Sequence, residues 1–560
     1  MLFLSFVVPN AVLNIAPKNI LHFTHQFYRL FYSIFTVLTL LFIIHANINA
    51  NANATVVSKN NYTFGKDFGW CTATAAHQIE GYNYNSDWWA FESIPGKIVN
   101  SDNSEFASKH WDMLEQDITL MKDLNLNSYR FSIEWAKIIP KKGQVNFGVI
   151  FHYLDELEKL AEKNITPIVT LQHFTLPKWV ADEGGWTNEN IVTYFKEYLE
   201  YVIPVFAPYV KYWVTINEPM GHLMAGYMAG VHPPAHKFDL KGIKSALVNL
   251  LKAHATAYHF IHQTYKQNST STSTSTSNPN PKLEKPMVGM AHHMRGAFPQ
   301  KNNFVDRYLA KTVDYITNWA IPNALNDGII QIKIPFLIDL YRHIDGLKGT
   351  QDYFGINYYT YDTVHLGFFK LCMGADEDDY TTEVGWAIYP EGMYDMLEEI
   401  HYRYPSLPIY ITENGIADRN DRARSKFLID HLRFVSKAIK DKIPVIGYCH
   451  WSLIDNFEWA LGYFPRFGLY EVKYEEKFTR VPRASANLFA QIASKNQIDE
   501  SMIDTYDKIS YPEDMDHLYP KYNTKCYGLF GNKNIATSKE FKEFFKYIKA
   551  EAHERGESIE

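Results

Sequence analysis

The sequence predicts a single (β/α)8 barrel, and three observations lead to that prediction. The chain contains eight short β-rich runs, helical segments separate them, and polar residues follow most of the runs. Alternating strands and helices predict a parallel sheet, and eight such units predict a closed barrel. An open, doubly wound sheet is the structural alternative. That fold usually carries a glycine-rich phosphate turn after its first strand, whereas this chain reads "TAAHQIEG" there.

The predicted strands are short and largely apolar. In chain order they cover residues 68–74, 128–132, 166–171, 211–216, 287–291, 352–357, 408–412 and 445–450. The segments between them show helical periodicity. In "HWDMLEQDITLMKDL", for example, Leu114, Ile118 and Met121 recur at intervals of four and three residues, which places them on one face of a helix.

Composition narrows the classes of function. The chain has 560 residues, of which 46% are hydrophobic and 15% aromatic, so it can bury a large core. Lys and Arg total 55 against 62 Asp and Glu, and the net charge of -7 argues against nucleic acid as a partner. A neutral small ligand fits this balance better.

The cysteines do not form a recognisable framework. Four occur in the whole chain, without the CxxC spacing of a metal site, and these are Cys71, Cys372, Cys449 and Cys526. One isolated disulfide is compatible with this number, and the sequence leaves its partners open.

Residues 1–54 are predicted to be a targeting segment. Arg29 precedes an apolar run from Leu30 to Ala46, and small residues typical of a cleavage site follow near residues 50–54. A secretory signal peptide explains this pattern, and a retained signal anchor of a type II membrane protein is the alternative. Both place the remainder in the secretory pathway, as a secreted, lumenal or anchored glycoprotein. The N-glycosylation sequons begin at Asn53, Asn61, Asn164 and Asn268.

The remaining boundaries follow changes in composition. Residues 55–496 are predicted to form the barrel domain, interrupted by a polar, low-complexity insertion at about residues 268–281. Residues 497–560 form an extension of unknown role. Its end predicts one amphipathic helix that either packs on the barrel or binds a partner, with an apolar stripe of Phe541, Phe544, Phe545 and Ile548.

Polar residues gather where the predicted strands end. In a (β/α)8 barrel, the carboxyl ends of the strands meet at one mouth, where the chemistry takes place. The residues concerned are Gln78 and Glu80 after strand one, Arg130 in strand two, His173 after strand three, Asn217 and Glu218 after strand four, Asn357 and Tyr359 at strand six, Glu413 after strand seven and Trp451 after strand eight. Each residue alone has an ordinary structural explanation. Their joint placement predicts a polar site in which Glu218 and Glu413 form a pair of carboxylates, on strands three apart around the ring.

Seven motifs give the site a family resemblance. They are "HQIEG" (77–81), "YRFSIEW" (129–135), "TINEP" (215–219), "GINYYT" (355–360), "GWAIYPEG" (385–392), "ITENG" (411–415) and "HWSLIDNFEWALGYFPRFGLYEV" (450–472). In this order they resemble the retaining β-glycosidases of glycoside hydrolase family one, and the resemblance covers most of residues 61–495. It implies a single-domain TIM barrel that uses no metal and no organic cofactor.

The resemblance implies a division of roles between the two carboxylates. Glu413 of "TENG" is expected to be the nucleophile and Glu218 of "NEP" the acid/base. Arg130 and Tyr359 are expected to stabilise the charge on Glu413, and Asn357 to orient that side of the pocket. Gly415 is expected to let the chain turn away from the sugar.

The resemblance also implies a set of sugar-binding residues. Gln78, His173, Asn217 and Glu458 are expected to bind hydroxyl groups, Trp451 to form an apolar floor, and Trp459 to donate from its indole. Glu458 suits an unphosphorylated ring, because a 6-phosphate would be repelled. The implied enzyme is a β-glucosidase for small β-glycosides or oligosaccharides, with galactosyl or fucosyl residues as further substrates. A glycan-binding protein on the same barrel, or a transglycosylase, is the alternative.

Three segments depart from the family pattern. They are "NWAIPNALNDGIIQIKIPFL" (318–337), the pair Val472-Lys473, and "AHHMRGAF" (291–298) after strand five. The first two are expected to lie away from the carboxylates. Because of these three departures, the resemblance does not predict how the aglycone side of the site is built.

Overall fold

A computed structural model of the chain describes residues 61–271, 284–335, 337–367, 370–376, 378–513, 515, 517 and 525–528. The predicted targeting segment lies outside these residues, as does the predicted apolar stripe of the C-terminal helix. Of the predicted insertion, only residues 268–271 are described, as the end of a long helix.

Eight parallel strands form a closed barrel. In chain order they are β1 (Gly69–Ala73), β2 (Ser128–Ser132), β3 (Thr166–Thr170), β4 (Tyr212–Asn217), β5 (Met287–Pro299), β6 (Phe354–Gly367), β7 (Ile409–Asn414) and β8 (Val445–Trp451). Each strand pairs in parallel with the next, and β8 pairs with β1. The sheet therefore has no open edge within the ring, and the predicted (β/α)8 fold is confirmed.

Helices connect consecutive barrel strands and follow the last one. The longer ones are His110–Asp123, Phe147–Glu162, Ile191–Phe206, Leu240–Ser271, Phe304–Asp314, Ala320–Asp327, Glu391–Arg403, Arg424–Lys440 and Ala484–Lys495. The short ones are Ala76–Ile79, Asp87–Glu92, Trp135–Ile138, Lys178–Asp182, Pro219–Leu223 and Glu500–Tyr506, with π-helical turns at Met224–Ala229 and Tyr315–Trp319 and 3-10 turns at Val99–Ser101, Gly185–Thr187 and Trp459–Leu461. Among the described residues, no helix combines the length and apolar character needed to cross a bilayer.

Strands β5 and β6 are longer than predicted. They continue past the barrel mouth and stay paired as far as Pro299 and Val364. The end of β6 then turns back against Lys370–Gly374, which pairs in turn with Lys525–Gly528. In the extension of β5, buried and half-buried residues alternate. The sequence prediction relied on continuous apolar runs and therefore stopped at residue 291.

Among the described residues, three further small antiparallel pairs lie apart from the barrel sheet. Tyr62–Thr63 pairs with Gln497–Ile498, so the described part of the chain begins beside the segment that follows the last barrel helix. The other pairs are Ile329–Ile334 with Ile338–His343 and Tyr470–Lys473 with Thr479–Pro482.

The barrel interior is filled by side chains and contains a disulfide. Cys71 on β1 is bonded to Cys449 on β8, across 378 residues of sequence. Gly69 and Gly447 leave room for Tyr410, since a Cβ atom at either glycine would lie 2.2 Å or 2.4 Å from an atom of that ring. A second, larger apolar cluster includes much of the packing between the barrel and the helices around it.

Candidate active site

The strand ends bring the predicted polar residues to one mouth of the barrel. Arg130 lies in the middle of β2 and is fully buried. Asn217 is the last residue of β4, and Glu218 follows it with a left-handed φ of 43° at the start of helix Pro219–Leu223. Glu413 is the penultimate residue of β7 and is 4% exposed. Rigid strands therefore position both carboxylates.

Both oxygens of Glu413 receive hydrogen bonds. Nη1 of Arg130 donates to Oε1 at 2.6 Å, and the Tyr359 hydroxyl donates to Oε2 at 2.7 Å. Burial raises the pKa of Glu413 to about 7, and neighbouring Glu218 adds to the rise, whereas Arg130 and Tyr359 lower it. Burial and the charge of Glu413 hold the pKa of Tyr359 well above its usual value, so its hydroxyl remains a donor.

A hydrogen-bond network joins the surroundings of the two carboxylates. Nη2 of Arg130 donates to Oδ1 of Asn217 at 2.6 Å. Nδ2 of Asn357 donates to the same Oδ1 at 3.1 Å and to Oε1 of Glu218 at 2.9 Å. Thr412 donates to Oδ1 of Asn357 at 2.6 Å, which fixes the orientation of that amide. Arg130 thus binds Glu413 directly and reaches Glu218 through two amides.

A histidine that the sequence analysis did not assign to the site also contacts Glu218. Nδ1 of His293 lies 3.1 Å from Oε1 of Glu218. His293 belongs to "AHHMRGAF", the segment after strand five that departs from the family pattern. The signal was present, because residues that follow a barrel strand belong to the mouth. Applying that rule to strand five would have included His293 among the candidates.

His173 is held as a neutral donor. Its burial and the nearby Arg130 lower its pKa to about 3. Nδ2 of Asn217 donates to Nε2 at 3.1 Å, because Oδ1 of that amide already accepts from Arg130. The ring proton therefore resides on Nδ1, which has no hydrogen-bond partner among the described residues. The ring also stacks on Trp451 and Trp459, with centroids 6.0 Å away in each case.

Gln78 and Glu458 form a second polar group at the same mouth. Nε2 of Gln78 donates to Oε2 of Glu458 at 3.2 Å and to the carbonyl oxygen of Phe457 at 3.0 Å. Burial and the charge of Glu413 raise the pKa of Glu458 to about 8, so this carboxyl holds a proton at neutral pH. Oε1 of Gln78 is buried and has no partner among the described residues.

Two details of the sequence analysis need correction. Glu80, predicted among the polar residues of the mouth, instead accepts from Nζ of Lys137 at 2.6 Å and from the Tyr153 hydroxyl at 2.9 Å in a separate buried cluster. Gly415 serves a close approach rather than a turn. A Cβ atom there would lie 1.8 Å from the carbonyl oxygen of Trp451, and its φ is not in the left-handed region.

The barrel and the site together define a class of protein. A closed (β/α)8 barrel carries two carboxylates at its catalytic end, with an arginine and a tyrosine on one of them and amide, histidine and tryptophan side chains around them. Paired carboxylates of this kind, one to attack and one to carry a proton, are the machinery of O-glycoside hydrolases.

Comparisons with known proteins give the family. The profile of "Glycosyl hydrolase family 1" matches residues 60–498. Beta-glucosidase A of Thermotoga maritima is 32% identical in an alignment of 458 residues that covers 78% of this chain and 99% of the relative. The structure of the beta-glycosidase from Pyrococcus horikoshii superposes with a TM-score of 0.71 and 34% identity, covering 80% of this chain and 98% of that one.

A third relative carries a different kind of name. The chloroplastic galactolipid galactosyltransferase SFR2 of Arabidopsis thaliana is 31% identical in an alignment of 430 residues that covers 73% of this chain and 62% of the relative. The family match extends across most of the described barrel. This chain belongs to glycosyl hydrolase family 1 and is a retaining β-glycosidase.

Proposed function

We propose that this chain is a β-glucosidase that hydrolyses terminal, non-reducing β-D-glucosyl residues and accepts galactosyl or fucosyl residues as further substrates. The observation that carries the proposal is the placement of Glu413, hydrogen-bonded by Arg130 and Tyr359, at the same mouth as Glu218. The name of the Thermotoga maritima relative supports glucose as the principal sugar.

In the first step, a carboxylate oxygen of Glu413 attacks the anomeric carbon. A C–O ester bond forms, the glycosidic C–O bond breaks, and Glu218 gives its proton to the leaving oxygen. In the second step, Glu218 takes a proton from water, and the water oxygen attacks the same carbon. The ester bond breaks, and Glu413 becomes a carboxylate again. Two inversions leave the product with the configuration of the substrate.

The first step requires one proton on the carboxylate pair, and the hydrogen bonds support Glu218 as its carrier. Burial acts to raise the pKa of Glu218, but a charged His293 and the hydrogen bond from Asn357 would lower it to about 2. Arg295 donates hydrogen bonds to Nε2 of His293, so the ring accepts there and is neutral. Burial and an ionised Glu413 act to raise the pKa of Glu218. The hydrogen bonds from Arg130 and Tyr359 stabilise the negative charge of the pair on Glu413, which leaves the proton to Glu218.

The proton is moved by the covalent step itself. Once Glu413 is esterified, it carries no charge, so its repulsion of the Glu218 carboxylate disappears. The pKa of Glu218 then falls, and Glu218 can act as the base for the incoming water. This change of protonation is the reason that one residue serves as acid and then as base.

The sugar ring is proposed to lie over Trp451 and to donate to and accept from the polar groups around it. Gln78, His173, Asn217 and Glu458 bind hydroxyl groups, and Trp459 contributes its indole N–H. The free Nδ1–H of His173 and the free Oε1 of Gln78 are one donor and one acceptor, which is what a sugar hydroxyl requires. The ring is proposed to be unphosphorylated, because ionised Glu413, whose charge already raises the pKa of Glu458, would repel a 6-phosphate.

A panel of substrates tests the proposal. Activity is measured on p-nitrophenyl β-glucoside, β-galactoside and β-fucoside and on short β-glucans, and NMR follows the anomer of the first product. We expect the highest kcat/KM for the glucoside and the β-anomer as the first product. An initial α-anomer, or no activity on any β-glycoside, would contradict the mechanism.

Transfer to an alcohol is a second candidate function. The name of the Arabidopsis thaliana relative favours it, since a galactosyltransferase hands a sugar to an acceptor other than water. The same glycosyl-enzyme on Glu413 serves both reactions. Products are separated after incubation with a donor and an excess of a sugar or glycerol acceptor. A transfer product that outweighs free sugar at millimolar acceptor would favour the transferase.

We further propose that the protein enters the secretory pathway, either cleaved after residues 50–54 or retained by its apolar segment as an anchor. Two of the predicted sequons begin at Asn61 and Asn164, and both asparagines are exposed. Sequencing the amino terminus of the protein from its native host distinguishes cleavage from anchoring. A mass that is unchanged by a glycan-removing amidase would argue against glycosylation.

A further inference from the structure

A second series of hydrogen bonds runs along strand β5 and ends on Glu218, the proposed acid/base. His293 contacts Oε1 of Glu218 through Nδ1. Arg295, two residues later, donates from Nε and Nη2 to Nε2 of His293 at 3.1 Å and 2.8 Å. Nη1 of Arg295 is bound by Oδ2 of Asp362 on β6 at 2.6 Å. Four side chains therefore form one line from Asp362 to Glu218.

The donors and acceptors in this line determine the tautomer of His293. A guanidinium group only donates, so Nε2 of His293 has to accept from Arg295. A ring that accepts at Nε2 and remains neutral carries its hydrogen on Nδ1. His293 therefore donates to Glu218, and its ring is held there by a cation that Asp362 binds from the neighbouring strand.

The two oxygens of Glu218 are placed in different surroundings. Oε1 accepts from Nδ1 of His293 and from Nδ2 of Asn357. Oε2 has no hydrogen bond among the described residues. A carboxylic acid whose Oε1 already accepts two hydrogen bonds carries its proton on Oε2. One oxygen is thus anchored, and the other is available to the glycosidic oxygen.

We propose that His293 is a positioning residue for the acid/base step. Arg295 and Asp362 act through His293 by holding its Nδ1–H on Oε1 of Glu218. As a consequence, Oε2 of Glu218 carries the catalytic proton. The inference deepens the proposed mechanism and rests on Glu218 being the acid/base. His293 and Arg295 lie in the segment 291–298 that departs from the family pattern, and none of the seven motifs contains these two residues or Asp362.

Other ionisable groups surround these four side chains and could change how activity depends on pH. Those that interact with Glu218 or stand beside His293 are Glu413 on β7, His173 after β3, Arg130 on β2, Tyr359 and Asp362 on β6 and Arg295 on β5. Burial keeps His173 neutral, and burial with the charge of Glu413 keeps Tyr359 protonated. Both therefore retain their charge state across the neutral range, in which the line is tested.

Three variants of the whole chain test the proposal. His293→Leu removes the donor. His293→Asn keeps one, because an asparagine amide nitrogen occupies nearly the place of Nδ1. His292→Leu is the matched control: His292 is the neighbouring buried histidine on the same strand, and its ring packs against Phe354 with a centroid distance of 4.9 Å.

Each variant is assayed on two glucosides across a range of pH. The p-nitrophenyl substrate needs help from an acid to leave, whereas the 2,4-dinitrophenyl substrate leaves with little help. In His293→Leu we expect kcat/KM for the first to fall about ten-fold and that for the second to change about two-fold or less. The basic limb of kcat/KM for the first should move up by about one pH unit, because the carboxylate loses a hydrogen bond.

The role of Arg295 is tested by a double-mutant cycle. Arg295→Met alone should reduce activity on the p-nitrophenyl substrate, and adding it to His293→Leu should cost about two-fold or less, because the two residues act as one unit.

His293→Asn and His292→Leu should keep the basic limb within about 0.3 pH unit of the parent protein, since one hydrogen bond is worth about one unit.

Two results would overturn the proposal. One is an equal loss on both substrates in His293→Leu with an unmoved basic limb, which a purely structural role would produce. The other is full additivity of Arg295→Met and His293→Leu. Failure of the proposed function itself would look different, since the parent protein would then release neither phenol.

Discussion

The hydroxyl of Tyr359 should determine the acid side of the pH profile. It donates to Oε2 of Glu413 at 2.7 Å, and Tyr359→Phe removes this donor while keeping the ring. Burial already raises the pKa of Glu413 to about 7, and Tyr359 is one of the groups that lower it. Losing the hydroxyl raises that pKa further. The nucleophile must be ionised to attack, so activity at low pH should fall.

The size of the shift follows from the kind of hydrogen bond. A hydrogen bond to a charged group is worth about 1.5–3 kcal/mol, and one pKa unit corresponds to about 1.4 kcal/mol. The acid limb of kcat/KM for p-nitrophenyl β-glucoside should therefore move up by about one to two pH units. Below that limb, activity should fall about 10- to 100-fold relative to the parent protein.

The neighbouring tyrosine provides the control. Tyr358 is also fully buried, but its hydroxyl donates to the carbonyl oxygen of Tyr389 at 2.7 Å, away from both carboxylates. Tyr358→Phe removes a buried hydrogen bond of the same length without touching Glu413. It should lower the melting temperature and leave the acid limb unmoved. An acid limb that stays in place in Tyr359→Phe, or moves equally in both variants, would refute the reasoning.

Three further predictions concern the rest of the site. Azide should restore turnover to both Glu413→Gly and Glu218→Ala. NMR should show an α-glycosyl azide from Glu413→Gly, by direct displacement, and a β-glycosyl azide from Glu218→Ala. The same anomer from both variants would contradict the roles of Glu413 as nucleophile and Glu218 as acid/base. Glu458→Gln copies the protonated form of a carboxyl whose pKa is raised to about 8, so its kcat/KM at pH 7 should fall about ten-fold or less. Glu458→Ala removes the group and should lower kcat/KM about 100-fold. Equal losses in the two variants would argue against a protonated Glu458. Gly415→Ala places a methyl group 1.8 Å from the Trp451 carbonyl oxygen and should lower kcat/KM by about 100-fold or more. Gly65→Ala is the control, because its methyl group meets no atom within 4 Å. It should keep near-parental kcat/KM and melting temperature.

Much of the fold and most of the candidate site could be predicted from the sequence. The eight strand positions follow from short apolar runs, and the closed barrel follows from their number. The rule that strand ends meet at one mouth is sufficient to group Arg130, Glu218 and Glu413 from the sequence alone. Such grouping succeeds because each strand end is a local feature, and the barrel converts eight local features into one site.

Side-chain partners across distant segments could not be predicted in this way. The Cys71–Cys449 disulfide joins residues that are 378 apart, and four cysteines give no pairing by themselves. Gly415 shows the same limit. Its lack of a side chain suggested a turn, whereas the close approach of Trp451 is the reason that a side chain does not fit.

The sequence by itself determined the barrel, its family and the two carboxylates, because strand periodicity and short motifs are written in consecutive residues. Only the tertiary structure decided which groups control those carboxylates. The hydrogen bonds from Asp362 through Arg295 and His293 to Glu218 depend on β5 and β6 continuing side by side past the mouth. Their directions depend on which nitrogen faces which oxygen, and that geometry exists only once distant strands are packed together.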